Sequence, residues 1–172
     1  MRVALVNPRW DFAGSTYFGC RESHLPLELG YARALLQAAG HEAGLFNGHL
    51  MDLSLDALAG DVAAFRPDMT VVTTAPTYLF WRCPQPELRV PADLVRGLDG
   101  RGGTVVAIGP HGSTTPRPTL RKLGADFVVL GESEEVIAAI ADTGDPRTVP
   151  SVAWLEAGEL RSNGGPHASR FV

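Results

Sequence analysis

Cysteine is scarce in this sequence: Cys20 and Cys83 are the 2 cysteines among 172 residues. Two thiols are too few for the disulfide framework of a small secreted domain or for a four-thiolate metal site, so we expect both to be free. Long apolar runs are also missing, since none approaches the roughly 20 residues that cross a bilayer. The apolar run before Pro8 is too short for a signal peptide. We therefore expect a cytoplasmic protein that does not span a membrane.

Positive charge is not in excess either, because Lys plus Arg number 15 against 19 Asp plus Glu, a net charge of -4. A nucleic-acid surface needs concentrated Lys and Arg, and no basic run occurs, so nucleic acid is not an expected partner. Apolar residues make up 45% of the chain, which excludes a disordered protein. A chain of this length is typical of one domain with a proper core.

The usual catalytic and cofactor motifs of α/β proteins are missing as well. The segment from Asn7 to Asp11 has no Gly-x-Gly-x-x-Gly and no phosphate loop. Thr73 and Thr74 stand where a phospho-receiver domain needs an aspartate. No His-Glu-x-x-His motif or Cys/His cluster predicts a zinc site. A small independent enzyme therefore has no catalytic constellation to support it.

Strand and helix patterns alternate along the chain. Short runs rich in apolar and β-branched residues predict five strands, at residues 3–6, 42–46, 69–73, 104–108 and 127–130. The segments between them contain amphipathic helices, of which the first ends before Gly40 and the second before Pro67. We therefore predict a doubly wound α/β fold, with a five-stranded parallel sheet in the order 2-1-3-4-5.

The pattern changes in the C-terminal part of the chain. Residues 149–155 and 160–161, separated by a turn at residues 156–159, predict a small hairpin. The remainder, residues 162–172, has little apolar content and is interpreted as a linker or a frayed end. We accordingly divide the chain into an α/β domain, residues 1–147, and a terminal hairpin with linker, residues 148–172.

Ligands of open parallel sheets bind beyond the carboxyl ends of the strands, where the strand order reverses. This rule selects four loops, at residues 7–24, 73–91, 109–115 and 131–133. Most of them carry Gly, Ser, Thr or Pro at the strand exit, which lets a large flat ligand approach the backbone. Strand ends carry turn residues in any fold, and the composition alone leaves both interpretations open.

Five segments together resemble the cobalamin-binding domain of cobalamin-dependent radical S-adenosylmethionine (SAM) enzymes. They are HLPLELGY (24–31), GHE (40–42), FRPD (65–68), GPHGS (109–113) and GADFVVLGESE (124–134). Each is weak alone, but their order and spacing are similar to that family over residues 2–161, nearly the whole chain.

The resemblance implies that cobalamin binds at the carboxyl edge of the sheet and serves methyl transfer. The residues that it assigns to cofactor binding are Thr73, Thr74, Thr77, Tyr78, Gly109, Pro110, His111, Gly131 and Glu132. The Asp-x-His-x-x-Gly motif of cobalamin mutases is absent, so we expect no histidine on cobalt. Thr77, Tyr78 and Trp81 would then pack beneath the ring.

The resemblance also implies a partner domain. The Cys-x-x-x-Cys-x-x-Cys triplet that holds a 4Fe-4S cluster is absent, so this chain is not catalytic alone. The cluster and SAM would belong to a radical SAM catalytic domain, in cis or in trans. The alternative is a cofactor-free α/β module that docks a substrate or a partner, because a fold can be kept without its ligand.

Overall fold

The computed structural model describes residues 1–10, 25–75 and 88–169. Its strands are β1 (Arg2–Asn7), β2 (Glu42–Asn47), β3 (Met69–Thr73), β4 (Thr104–Ile108), β5 (Phe127–Val129), β6 (Val152–Glu156) and β7 (Glu159–Asn163). Its helices are α1 (Leu27–Ala38), α2 (Leu55–Phe65), α3 (Arg89–Leu98), α4 (Pro110–Thr114), α5 (Pro116–Leu123) and α6 (Glu134–Thr143), with a 3-10 helix at Pro146–Thr148. Among the described residues, no helix is long and apolar enough to cross a membrane.

The strands form one mixed, mostly parallel seven-stranded sheet in the order β2-β1-β3-β4-β5-β6-β7. The first five pair in parallel, as the strand–helix alternation predicts. The C-terminal hairpin is not a separate appendage, because β6 pairs antiparallel with β5 and places Trp154 opposite Phe127. The hairpin therefore covers the backbone edge that β5 would otherwise expose, and the five-stranded sheet becomes one of seven strands.

Helices cover both faces of the sheet, because alternate side chains of each strand point to opposite faces. Val3 and Leu5 of β1 belong to a core cluster that contains α1 and α6. Ala4 and Val6 belong to a second cluster that contains α2 and α3. On the β4–β5 side of this second face, α5 packs in a third cluster. The doubly wound layering thus follows from strands that are apolar on both faces.

Two helices show why the sequence folds this way locally. In α1, Leu29, Ala32 and Leu36 recur at helical spacing and are fully buried. α2 begins after Ser54, whose hydroxyl accepts a 3.2 Å hydrogen bond from the backbone N–H of Ala57. Both helices begin at the carboxyl edge of the sheet, because the strand that precedes each of them ends there.

The C-terminal segment is ordered further than the sequence predicts. The backbone N–H of Ser151 donates to the carbonyl of Asn163 at 2.5 Å, and its hydroxyl donates to the carbonyl of Gly165 at 2.6 Å. His167 then forms a parallel β-bridge with Gly131. Residues 162–172 are interpreted from the sequence as a linker or a frayed end. Their described part, residues 162–169, is not frayed, because backbone hydrogen bonds hold this segment to the sheet. The boundary at residues 147 and 148 stays a prediction.

Candidate functional site

The exits of β3 and β4 meet at the carboxyl edge, as the ligand-site prediction requires. The Thr74 hydroxyl donates to the carbonyl of Ile108 at 2.8 Å, and its backbone N–H donates to the same oxygen at 2.9 Å. Gly109 follows with a φ of 105°, and a Cβ built on it would lie 2.9 Å from the Thr74 hydroxyl. Thr74 and Gly109 are therefore neighbours, but the hydroxyl and the backbone N–H of Thr74 are already used in hydrogen bonds that join β3 to β4.

A short helix replaces the expected loop after β4. Residues 110–114 form α4, so Pro110 and His111 lie in its first turn and not in an open loop. The hydroxyl of Thr119 donates to the carbonyl of His111 at 2.9 Å, which joins α4 to α5. The reason for the difference is local, because Pro at the first helical position favours a helix start. Both predicted residues remain half-buried at the carboxyl edge.

Ser113 joins the exits of β4 and β5. Its hydroxyl oxygen accepts a 2.8 Å hydrogen bond from the backbone N–H of Gly131. The same hydroxyl lies 3.3 Å from the carbonyl of Gly109, to which it donates. Gly109 and Gly131, which are distant in the sequence, are thus brought together as predicted, and Ser113 is the link that the sequence analysis missed.

Gly131 and Glu132 contact the C-terminal segment of the chain itself. The backbone N–H of His167 donates to the carbonyl of Leu130 at 2.9 Å, and that of Glu132 donates to the carbonyl of His167 at 3.1 Å. A carboxylate oxygen of Glu132 accepts from the backbone N–H of Ser169. A Cβ at Gly131 would lie 2.2 Å from the His167 carbonyl oxygen. The glycine is therefore explained by the close approach of this segment.

A row of buried polar side chains closes the other half of the carboxyl edge. Asn7 and Asn47 are paired in register at the ends of β1 and β2, and the Nδ2 of Asn7 donates to the Oδ1 of Asn47 at 2.9 Å. The Oδ1 of Asn7 accepts from the Nε1 of Trp10 at 3.0 Å and from the Thr73 hydroxyl at 3.2 Å. This polar row, Asn47–Asn7–Thr73 with Trp10, lies where the strand order reverses.

The sequence analysis identified only Thr73 in this row. Asn7 and Asn47 carry a weak signal, because Asn is common where strands end in turns. Their significance depends on the parallel register of β1 and β2, which places the two amides side by side. Once the strand order is predicted, a polar residue at the end of each of two adjacent strands is the signal that could have found them.

One donor of the row has no hydrogen-bond partner. Asn47 is 8% exposed, and its Nδ2 is shielded from solvent and makes no hydrogen bond within the part of the chain that the structure describes. Its Oδ1 is well used, because it also accepts from the backbone N–H of Leu50 at 3.1 Å. These two bonds to Oδ1 fix the orientation of the amide, so the unused group is a donor.

A cavity of about 380 Å³ opens beside Trp10, on the side of α2 and α3. Its lining includes Arg9 and Arg89. Arg9 forms a 3.0 Å ion pair with the exposed Asp52. The polar row itself is neutral, so the charged groups here lie beside it and not within it.

Three predicted positions lie outside the described residues: Thr77, Tyr78 and Trp81. Both cysteines also lie outside them. In residues 1–10, 25–75 and 88–169, no group of three or more His, Cys, Asp or Glu side chains could hold a metal ion.

No protein-family model and no curated protein sequence matches the chain. Among solved structures, 95% of the chain aligns with 31% of the radical SAM methyltransferase TsrM from Kitasatospora setae, solved with cobalamin and a [4Fe-4S] cluster bound, at a TM-score of 0.71 and 19% identity. Similarly, 97% aligns with 22% of the cobalamin-dependent SAM radical enzyme OxsB, solved with aqua-cobalamin and SAM bound, at a TM-score of 0.67 and 15% identity. The chain spans less than a third of each protein, and at these identities the likeness shows a shared fold.

Proposed function

We propose that this domain binds cobalamin at the carboxyl edge of its sheet, for methyl transfer that is completed by another domain. The observation that carries the proposal is the neutral polar row at the point where the strand order reverses, which holds a buried donor without a partner among the described residues. In doubly wound sheets, ligands bind at this point. Both TsrM and OxsB, whose fold the chain shares, were solved with cobalamin bound.

The residues present fit a cofactor that is rich in amide groups. Corrin side chains end in neutral amides, and a site for them needs donors and acceptors that are not charged. The polar row is built of such groups: the bonds that Asn7 and Trp10 make hold it together, and the Nδ2 of Asn47 is the group available to a ligand. Thr73 and Thr74 are 2% and 0% exposed, and both hydroxyls donate within the protein, so we assign them to holding the edge in shape. Bound cobalamin would supply a cobalt centre for the methyl transfer.

A radical SAM catalytic domain, in cis or in trans, is the proposed partner, and it would hold SAM and the 4Fe-4S cluster. The support is an apolar rim at the carboxyl edge, before and within the first turns of α1 and after β2. Its five large side chains are at least half exposed: Leu25, Leu27, Tyr31, Leu50 and Met51. Exposed apolar clusters of this kind are typical of surfaces that contact another domain.

One observation favours the cofactor-free alternative. Gly109 and Gly131, which the resemblance assigns to cofactor contacts, are both required by the fold itself. A Gly109→Leu variant would therefore disturb the exits of β3 and β4 and would not isolate a binding effect.

A pair of threonines in β3 gives a cleaner test. Thr73→Val removes a buried hydroxyl from the polar row, and Thr70→Val removes one from the opposite edge, where it donates to the carbonyl of Gly102 at 2.5 Å. One neutral hydrogen bond contributes about 0.5–1.5 kcal/mol, and the bond from Thr73 orients the amide of Asn7. Because Thr73→Val removes this bond and so loosens the row, it should weaken hydroxocobalamin binding by up to about tenfold. Thr70→Val should lose only stability.

Binding is measured from the visible spectrum after incubation with hydroxocobalamin and gel filtration, and affinities by titration. A coloured wild-type chain whose affinity falls in Thr73→Val and not in Thr70→Val supports the proposal. A wild-type chain that stays colourless refutes it and favours the cofactor-free module.

A further inference from the structure

We infer that Asn47 is a cofactor-binding residue whose side-chain Nδ2 donates to a carboxamide oxygen of a corrin side chain. This inference rests on the proposed function and adds to it a residue and the chemical group that it recognises. Asn47 is not among the positions that the sequence resemblance assigns to the site.

The first step is a count of donors and acceptors in the polar row. The two amide oxygens already accept four hydrogen bonds, from Asn7, Leu50, Trp10 and Thr73. A carbonyl oxygen has two lone pairs, so neither amide can accept a further bond. The Nδ2 of Asn47 is the donor that has no acceptor within the row. A hydrogen bond from it therefore requires an acceptor that does not belong to the row.

The second step concerns the orientation of Asn47. If its amide were flipped, Nδ2 would face both the Nδ2 of Asn7 and the backbone N–H of Leu50, and two donor–donor contacts would result. The observed orientation is thus determined by its neighbours. The turn after β2 needs the Oδ1 of Asn47 as an acceptor for the backbone N–H of Leu50. No group in the described part of the chain needs its Nδ2 as a donor.

The third step concerns the solvent exposure of Nδ2. Nδ2 is shielded from solvent, so bulk water does not satisfy it, and a buried donor without a partner destabilises a folded protein. A ligand that completes this hydrogen bond would remove the cost. Its position at the edge where ligands of this fold enter is consistent with that explanation.

The fourth step selects the ligand group. The row consists of amide, indole and hydroxyl groups. The cations Arg9 and Arg89 line the neighbouring cavity and not the row, and Arg9 is paired with Asp52. Burial of an anion without a paired cation is strongly unfavourable, so a phosphate is a poor match for this row. A neutral carboxamide oxygen matches it, and the corrin ring carries several such groups on its periphery.

The variant that tests the inference is Asn47→Asp. It preserves the shape and the acceptor oxygen and replaces the unused donor by an acceptor. The matched control is Asn163→Asp at the far end of the sheet, where the Nδ2 of Asn163 donates to the carbonyl of Arg147 at 3.3 Å. Affinities are measured for hydroxocobalamin and for dicyanocobinamide, a corrin that lacks the nucleotide and its phosphate.

We expect Asn47→Asp to weaken binding of both corrinoids by at least about tenfold, and Asn163→Asp to bind them as the wild type does. Unchanged affinity of Asn47→Asp overturns the inference while the proposed function stands. A loss confined to hydroxocobalamin also overturns it, because the nucleotide and not a corrin amide would then be the group recognised. A wild-type chain that binds neither corrinoid overturns the inference together with the proposed function.

A second measurement does not depend on a variant that folds. In the wild-type chain, the side-chain ¹⁵N–¹H₂ signals of Asn47 should shift on addition of dicyanocobinamide more than those of Asn163. Signals of Asn47 that do not move at saturation would overturn the inference. Circular dichroism and thermal unfolding of each variant establish that it is folded before its affinity is compared.

Discussion

Replacement of Gly131 by alanine should measure how firmly the C-terminal segment is held at the carboxyl edge. The substitution has two costs. Gly131 has a φ of 83°, and alanine in this left-handed region is less stable than glycine by about 1–2 kcal/mol. The new Cβ would also lie 2.2 Å from the carbonyl oxygen of His167, a distance that no structure tolerates without a backbone shift.

The magnitude of the second cost follows from the bonds that such a shift breaks. His167 makes two backbone hydrogen bonds to the β5 exit, one of 2.9 Å to Leu130 and one of 3.1 Å from Glu132. Each contributes about 0.5–1.5 kcal/mol, so their loss costs about 1–3 kcal/mol. Gly131→Ala should therefore lower the free energy of unfolding by about 2–5 kcal/mol in total.

Gly144→Ala is the matched control. Gly144 also has a positive φ, 73°, but a Cβ there would meet no atom within 4 Å, so only the backbone strain applies. Urea denaturation of both variants measures the two costs, and their difference isolates the contact with His167. In a chain shortened after Asn163, this difference should disappear, which makes the experiment a double-mutant cycle.

The reasoning would be refuted in either of two ways. Equal destabilisation by Gly131→Ala and Gly144→Ala in the full chain would mean that His167 does not lie against Gly131. A difference that persists after the segment is removed would mean that another part of the chain accounts for the cost. Either result would free Gly131 and Glu132 for the cofactor contacts that the sequence resemblance assigns to them.

Two further substitutions test the fold. Gly103→Ala should lower the free energy of unfolding by at least about 3 kcal/mol, because its Cβ would lie 2.2 Å from the carbonyl oxygen of Asp68 at a φ of 63°. Gly100→Ala, with a φ of 73° and no atom within 4 Å, should cost only about 1–2 kcal/mol, and similar values for the two variants would contradict the close approach. In the hairpin turn, Ala157 and Gly158 have φ values of 50° and 82°, so Ala157→Asn should stabilise the chain by about 0.5–1 kcal/mol. A melting temperature that does not rise would argue against this turn geometry.

The strands were predictable because each buried strand is a short apolar run. The run that ends at Thr73 is buried along its whole length, as a central strand of a parallel sheet should be. The attachment of β6 to β5 was not predictable, because a hairpin pattern does not indicate which edge it pairs with. The bridge between Gly131 and His167 also joins distant residues, and the segment around His167 has no local strand pattern.

The sequence was sufficient to predict that the candidate site lies at the carboxyl edge of the sheet. It was less informative about which residues form the site. The Gly-His-Glu motif illustrates why. The Nδ1 of His41 lies 3.2 Å from the N-terminal ammonium of Met1, and its Nε2 lies 2.9 Å from a carboxylate oxygen of Asp142. The histidine thus joins the turn before β2 to α6, and it serves the fold. A motif shared with a ligand-binding family can therefore report the scaffold and not the ligand.

The same distinction separates two kinds of residue at the carboxyl edge. Thr74, Gly109 and Gly131 have hydrogen bonds or backbone conformations that the folded chain already accounts for. Any protein with this fold and these connections would need similar residues there, with or without a ligand. Asn47 differs, since its Nδ2 makes no hydrogen bond to any part of the fold that the structure describes. Substitutions at the first group should therefore change stability more than affinity, and Asn47→Asp should lower the affinity for corrinoids as well as the stability.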